Sequence, residues 1–316
     1  MIAAAALLAA GKARAQATRF PERTITLIVP FAPGGIADIT ARSVAQAMGA
    51  TLGQTVVVDN RPSAGSIVGS SAVAQAPPDG HTLLLMSNAN AVSASLFKKL
   101  PFDVQKDFAP IGTLAVFDLG LFVDAGSRYK SVAELLADAK ARPGKLTIGT
   151  IAAGSTQHLA AELFKSRTAI DAVVVPYKST PAVLTALRAR EIDLAFEIVA
   201  PLLAQVSAKA LRVLAVTSDA HHPALPGVPT LAEAGVANYN VASWNALAAP
   251  ARTAPEIVER INHAAREALA SAPVKQRLAE LGVRAQPGSP AQLASLLTSE
   301  IARWREVIVA AKIEPE

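Results

Sequence analysis

Short apolar runs alternate along this chain with stretches whose apolar positions recur every third or fourth residue, the two periods of strand and helix. Thr24–Pro30 reads as a buried strand. A glycine-rich turn follows, then a helix over Ala37–Leu52 on the spacing of Val44, Met48 and Leu52. Thr55–Asp59 is the next strand, so the first 60 residues predict a βαβ unit with parallel strands. A helix at Ser66–Gln75 and a strand at Thr82–Met86 continue the series.

A second series begins after residue 120. Ser131 and Glu134 form a capping box that opens a helix, and Pro143-Gly144 closes it. Strand 146–149, helix 156–167, strand 172–175, helix 181–190 and strands 192–196 and 211–216 follow. Residues 221–230 carry three prolines and a glycine and read as a connection. Beyond them come a strand at 241–248, a long helix opened by Thr253-Ala254-Pro255-Glu256, and helical stretches at 274–281 and 290–311.

Two α/β series within 316 residues predict two lobes, each with its own core. The predicted division is 18–120 with 241–316 for one lobe and 121–240 for the other. The chain has no cysteine, which excludes disulfides, thiolate nucleophiles and cysteine-held metals. Its five histidines lack the spacing of a zinc helix, so no metal or cofactor is expected. The net charge is +5, but the basic residues are scattered and only 4% of residues are aromatic, so nucleic-acid binding is not expected. Residues 1–17 read as an export leader, a short apolar run ending in Ala15-Gln16-Ala17, although no Lys or Arg precedes the run. Lys12 and Arg14 fall within it and account for two of the five net charges. The leader points to the periplasm.

Ligand sites in open α/β sheets lie beyond the carboxyl ends of the strands, which directs attention to particular loops. The first, Phe31-Ala32-Pro33-Gly34-Gly35-Ile36-Ala37-Asp38, joins strand to helix and suits an anion through main-chain N–H groups. It lacks the Lys of a phosphate loop and the third glycine of a dinucleotide site. A side chain at Gly34 should therefore crowd a ligand. The second, Gly154-Ser155-Thr156-Gln157-His158, offers hydroxyls and amides. Its plainest role is a helix cap, and its other reading is a hydrolase with Ser155 as nucleophile and His158 as base. Tyr177 and Lys178 end a strand and suit a small organic acid. Ser87 and Asn88 follow a buried strand and are also explained by turn chemistry. Glu197 ends strand 192–196, where it would meet a ligand amine or close a hydrogen bond between lobes. Trp244 reads as packing.

Taken in order, these segments resemble the Bug family, the extracytoplasmic solute receptors of tripartite tricarboxylate transporters. The resemblance is carried by Val29-Pro30-Phe31-Ala32-Pro33-Gly34-Gly35, Asp38, Arg42, Asn60-Arg61-Pro62 and Ser63-Ala64-Gly65-Ser66. Pro78-Asp79-Gly80, Val175-Pro176-Tyr177-Lys178, Leu225–Thr230 and Ala232-Glu233-Ala234-Gly235 extend it to the C-terminus. It implies a type II-like, two-lobed periplasmic binding protein with a ligand cleft between its lobes, closing like a flytrap. The implied receptor is a monomer and not an enzyme. It takes a small carboxylate, amino acid or aromatic acid and hands it to the membrane components of the transporter; a signalling partner is the other possibility. The same resemblance implies that Phe31, Gly34, Gly35, Ile36 and Asp38 face the ligand from one lobe and residues 154–158 from the other. Ser179 stands where the family has glycine, Ala189-Arg190 where it has Gly-Gly, and Glu197 where aspartate is common.

Overall fold

A computed structural model describes residues 20–151 and 154–315; the 1–17 leader lies outside the described residues. Along the chain the elements are β1 (Ile25–Val29), α1 (Ile36–Leu52), β2 (Val56–Asn60), α2 (Ile67–Ala74), β3 (Thr82–Ser87), α3 (Asn88–Leu96) and β4 (Phe108–Asp124). Then come α4 (Val132–Ala141), β5 (Leu146–Ile151), α5 (Thr156–Thr168), β6 (Ala172–Tyr177), α6 (Thr180–Arg188), β7 (Leu194–Ile198), α7 (Leu203–Ser207) and β8 (Leu211–Val216). The chain ends with β9 (Ala242–Pro250), α8 (Pro255–Ala270), α9 (Ala272–Glu280), β10 (Arg284–Ala285) and α10 (Pro290–Ala310).

The chain divides into two compact units. The first comprises the chain up to Ala115 with Trp244–Ala279 and Ala285–Ile301, the second Val116–Ser243 with Glu280–Arg284 and the chain from Ala302 on. It passes from one unit to the other inside β4 and inside β9, and again within α9, β10 and α10. Segments 280–284 and 302 onward group with the second unit, whereas the sequence reading puts all of 241–316 with the first lobe.

In the first unit β1 lies between β2 and β3, parallel to both, and β9 runs antiparallel to β3. β1 is apolar at four of its five positions because a central parallel strand is covered on both faces. α1 packs on β1, β2 and α8. It buries Val44, Met48 and Leu52 and ends on Gly53 in the left-handed conformation, whose N–H closes on Gly49 O at 3.0 Å.

In the second unit β4 lies between β7 and β8, antiparallel to both, and β5 and β6 continue in parallel beyond β7. β6 is an edge, which tolerates Pro176 because its missing N–H faces no partner strand. Asp193 pins β5 to the start of β7: its Oδ2 accepts the N–H and the hydroxyl of Thr147, both at 2.9 Å. Phe164 of α5 packs against Phe196 of β7 with ring centroids 5.5 Å apart. Tyr239, fully buried, donates to Ala160 O at 2.6 Å.

The βαβ order of both series is present as read. The elements missed are β4, α3, α7 and the two-residue β10. In β4, Pro110, Gly112 and Gly120 interrupt the run and hide its 17 residues, while burial on both faces removes the alternation that marks a strand.

Candidate functional site

The Gly34-Gly35 turn forms because of what lies behind it. Gly34 has φ +82°, a conformation L side chains rarely adopt, and its N–H donates to Asp38 Oδ2 at 2.9 Å. Asp38 is buried, with Arg42 Nε at 3.1 Å and Asn60 Nδ2 at 2.8 Å; the same Asn60 amide also donates to Phe31 O at 3.0 Å. Burial pushes the Asp38 carboxyl up, but bonds from Arg42, Gly34 and Asn60 and the Arg42 charge outweigh it. The net result lies below the ordinary carboxylate range. Asp38 is therefore the internal brace of the turn.

Gly35 is the N-cap of α1, and having no side chain it leaves the first-turn amides without a side-chain cap. A Cβ built on Gly34 meets nothing within 4 Å, and one on Gly35 meets only Ala32 O at 3.6 Å, so there is space in front of both. Phe31 and Ile36 are half-buried beside them. The positive end of α1 thus faces open space, with the Asp38 carboxylate held on the Gly34 N–H.

At the end of β3, Ser87 and Asn90 form a capping box. Ser87 Oγ accepts Ala89 N–H at 3.2 Å, and Asn90 Oδ1 accepts Ser87 N–H at 2.9 Å. Ser87 and Asn88 thus open a helix rather than a turn, and both are buried. Asn245 lies opposite Ser87 on β9, and its Oδ1 is buried without a partner. Sequence reading passed over Asn245 because nothing local marks it; only strand pairing brings it to Ser87.

In the second unit Ser155 caps α5. Its Oγ accepts His158 N–H at 3.1 Å and donates to Ile151 O at 2.7 Å. The His158 ring is turned the other way: Nδ1 accepts Gly154 N–H at 3.3 Å, and burial holds the ring below its ordinary pKa, hence neutral. A nucleophile–base pair needs a bond between Ser155 Oγ and the ring, and here both groups serve the cap instead. Thr156 Oγ1 lies 3.5 Å from Ser243 Oγ.

Glu197 is 1% exposed at the end of β7. Its Oε2 accepts from Gln157 Nε2 at 3.3 Å, Thr180 Oγ1 at 3.2 Å and Ile198 N–H at 3.3 Å, while Oε1 has no partner. Burial pushes the carboxyl up to about 7, against the pull of those three donors. Gln157 and Thr180 stand in the first turns of α5 and α6, so Glu197 sits where two helix N-termini begin. Ser179, the N-cap of α6, makes no side-chain cap. Tyr177 is half-buried against the core of this unit, and Lys178 is exposed. Gln157 and Thr180 adjoin residues already singled out, yet nothing in their local sequence shows that both reach one carboxyl.

Among the described residues no group of three or more His, Asp or Glu is arranged to hold a metal, and no helix is long and apolar enough to cross a membrane.

Residues 40–313 match the model of the tripartite tricarboxylate transporter family receptor. BugT of Bordetella pertussis is 35% identical over 294 residues, 92% of this chain and 90% of that protein. A UPF0065 protein of Pseudomonas sp. strain P51, from the tcbD-tcbE intergenic region, is 38% identical over 291 residues, 92% and 87% of the two chains. Among solved structures, R. palustris Rpa4515 with adipate superimposes with a TM-score of 0.82 at 35% identity, over 94% of this chain and 100% of that one. MatC from Rhodopseudomonas palustris, with bound malate, gives 0.78 at 31% identity, over 92% and 100%. A family match over most of the chain and a shared two-lobed solute-binding fold lead to one conclusion: this protein belongs to the Bug family of tripartite tricarboxylate transporter receptors.

Proposed function

We propose that the protein is a periplasmic, monomeric, non-enzymatic receptor that captures a small dicarboxylate by closing its lobes and delivers it to the membrane components of a tripartite tricarboxylate transporter. The observation that carries the carboxylate reading is the Gly34-Gly35 turn, an uncapped helix N-terminus with open space before it and its acidic residue turned inward. Such a terminus holds an anion through peptide dipoles and N–H groups without a cation. The uncapped start of α6 supplies a second such end. Relatives of similar length that carry malate and adipate support a ligand with two acidic ends. On this reading the site comprises Phe31, Gly34, Gly35, Ile36, Ser87 and Asn88 from one lobe. Gly154, Thr156, Tyr177, Lys178 and Glu197 contribute from the other, with Asp38, Ser155 and His158 shaping the turns behind them.

Closure follows only where the closed form binds the solute more tightly than the open form. A thermal-shift screen with malate, adipate, succinate and citrate tests the reading. A true ligand at 100 times its Kd stabilises the fold by about 2.7 kcal/mol. A panel that leaves Tm unmoved at millimolar concentrations rejects a carboxylate receptor.

A further inference from the structure

We propose that Glu197 carries a proton in the loaded receptor and donates it through Oε1 to a carboxylate oxygen of the solute, so that capture of the acid takes up one proton from solvent. The inference rests on the carboxylate reading of the same site and adds the protonation state and hydrogen-bond polarity of one wall of it.

The argument starts from the uneven use of the two oxygens. Three donors converge on Oε2, from Gln157, Thr180 and Ile198, while Oε1 is equally buried and receives none. A buried oxygen bearing negative charge without a donor is costly, whereas a neutral acid with its hydroxyl at Oε1 and its carbonyl at Oε2 matches this pattern. That hydroxyl then lacks only an acceptor, and a carboxylate of the solute is one.

α5, of 13 residues, and α6, of 9, start beside Glu197, and their positive ends favour one negative charge there, which an anionic solute drawn to the same ends supplies. Two carboxylates in one dry site do not both stay ionised; they share a proton. No side-chain charge from the packed elements offsets this. β4 places Gly120 opposite Glu197, with Asp118 bound to Arg284 and Asp124 to Arg190. β5 ends in Thr150 and Ile151, and α5 brings Gln157, the neutral His158 and the paired Glu162 and Lys165. β6 and α6 bring Tyr177, the exposed Lys178 and, in the last turn, Arg188. None exerts an appreciable charge on Glu197, whose carboxyl burial raises to about 7 against the pull of its three donors.

The test is calorimetric titration of the full-length mature protein with malate and adipate from pH 6 to 9, in buffers of different ionisation enthalpy. Expected are uptake of close to one proton per ligand at pH 8 and affinity falling about tenfold per pH unit above 7. Glu197→Gln, whose amide keeps a donor at the same place, should bind with little pH dependence and no proton uptake at this site. Tight wild-type binding at pH 8 without proton uptake overturns the inference while leaving the carboxylate reading intact. So does loss of carboxylate binding in Glu197→Gln with a gain for amine-bearing solutes, which marks Glu197 as an anionic acceptor. If neither probe nor succinate nor citrate binds, both fall together. The wild-type proton count decides the matter even where the variant fails to fold.

Discussion

Gly34 and Gly35 are adjacent glycines with different work. Gly34 needs its left-handed backbone, so a side chain there strains the turn whatever space lies in front. The expectation that Gly34→Val tests crowding alone is corrected by this φ. Gly35, at φ −76° and ψ 166°, takes any residue without strain. Gly35→Val should weaken dicarboxylate binding at least tenfold while urea midpoints stay within error of wild type; unchanged affinity removes the turn from the site. Glu197 supplies a second prediction, in stability. Its folded pKa of about 7 lies above the ordinary glutamate value, so between pH 4.5 and 7 the unfolded chain has lost a proton that the fold retains. Stability should therefore fall with rising pH across that window and level off above it. Glu197→Gln removes this loss and should be more stable than wild type by roughly 2–3 kcal/mol at pH 8, with no such gain near pH 4.5. Denaturant melts at the two pH values check it.

At the scale of elements, much of the family signature holds backbone rather than ligand. Asp38, Arg42 and Asn60 brace the first turn. Asp79 accepts His81 N–H and the Arg23 guanidinium, and Thr230 and Glu233 cap one another. Ser155 belongs with them. Ser155→Ala should cost about 1 kcal/mol through loss of the α5 cap, and purified wild-type protein should show no Ser155-dependent ester hydrolysis. The motif residues were legible because turns demand particular side chains at fixed offsets. Their roles were less so: a residue that shapes a site and one that touches its ligand leave the same mark in a sequence. Asp38, which the resemblance places facing the ligand, also braces the turn through Gly34, Arg42 and Asn60.

For the whole molecule, the chain changes unit inside β4, β9, α9, β10 and α10, so strands and helices rather than loops carry the backbone across. The proposed function has the lobes close on the solute. Saturating dicarboxylate should then reduce the radius of gyration measured by small-angle scattering, and Gly35→Val should abolish the change at the same ligand concentration. An identical profile with and without bound ligand argues against closure. β4, where the chain first changes unit, is not legible in the sequence. Its two buried faces leave no period, and its glycines and proline imitate loop.

What the amino-acid order determined by itself was local and repeated: the alternation of strand and helix, the caps, the glycine turn and the ordered motifs that mark the family. These follow from backbone sterics and from burial patterns a few residues long. Tertiary structure decided what depends on residues far apart in the chain. It set Asn60 behind Gly34, Asn245 opposite Ser87, and Gln157 and Thr180 on one oxygen of Glu197 while leaving the other bare. A carboxyl's charge depends on which donors and how much water reach it, and those are settled only when separate strands and helices come together.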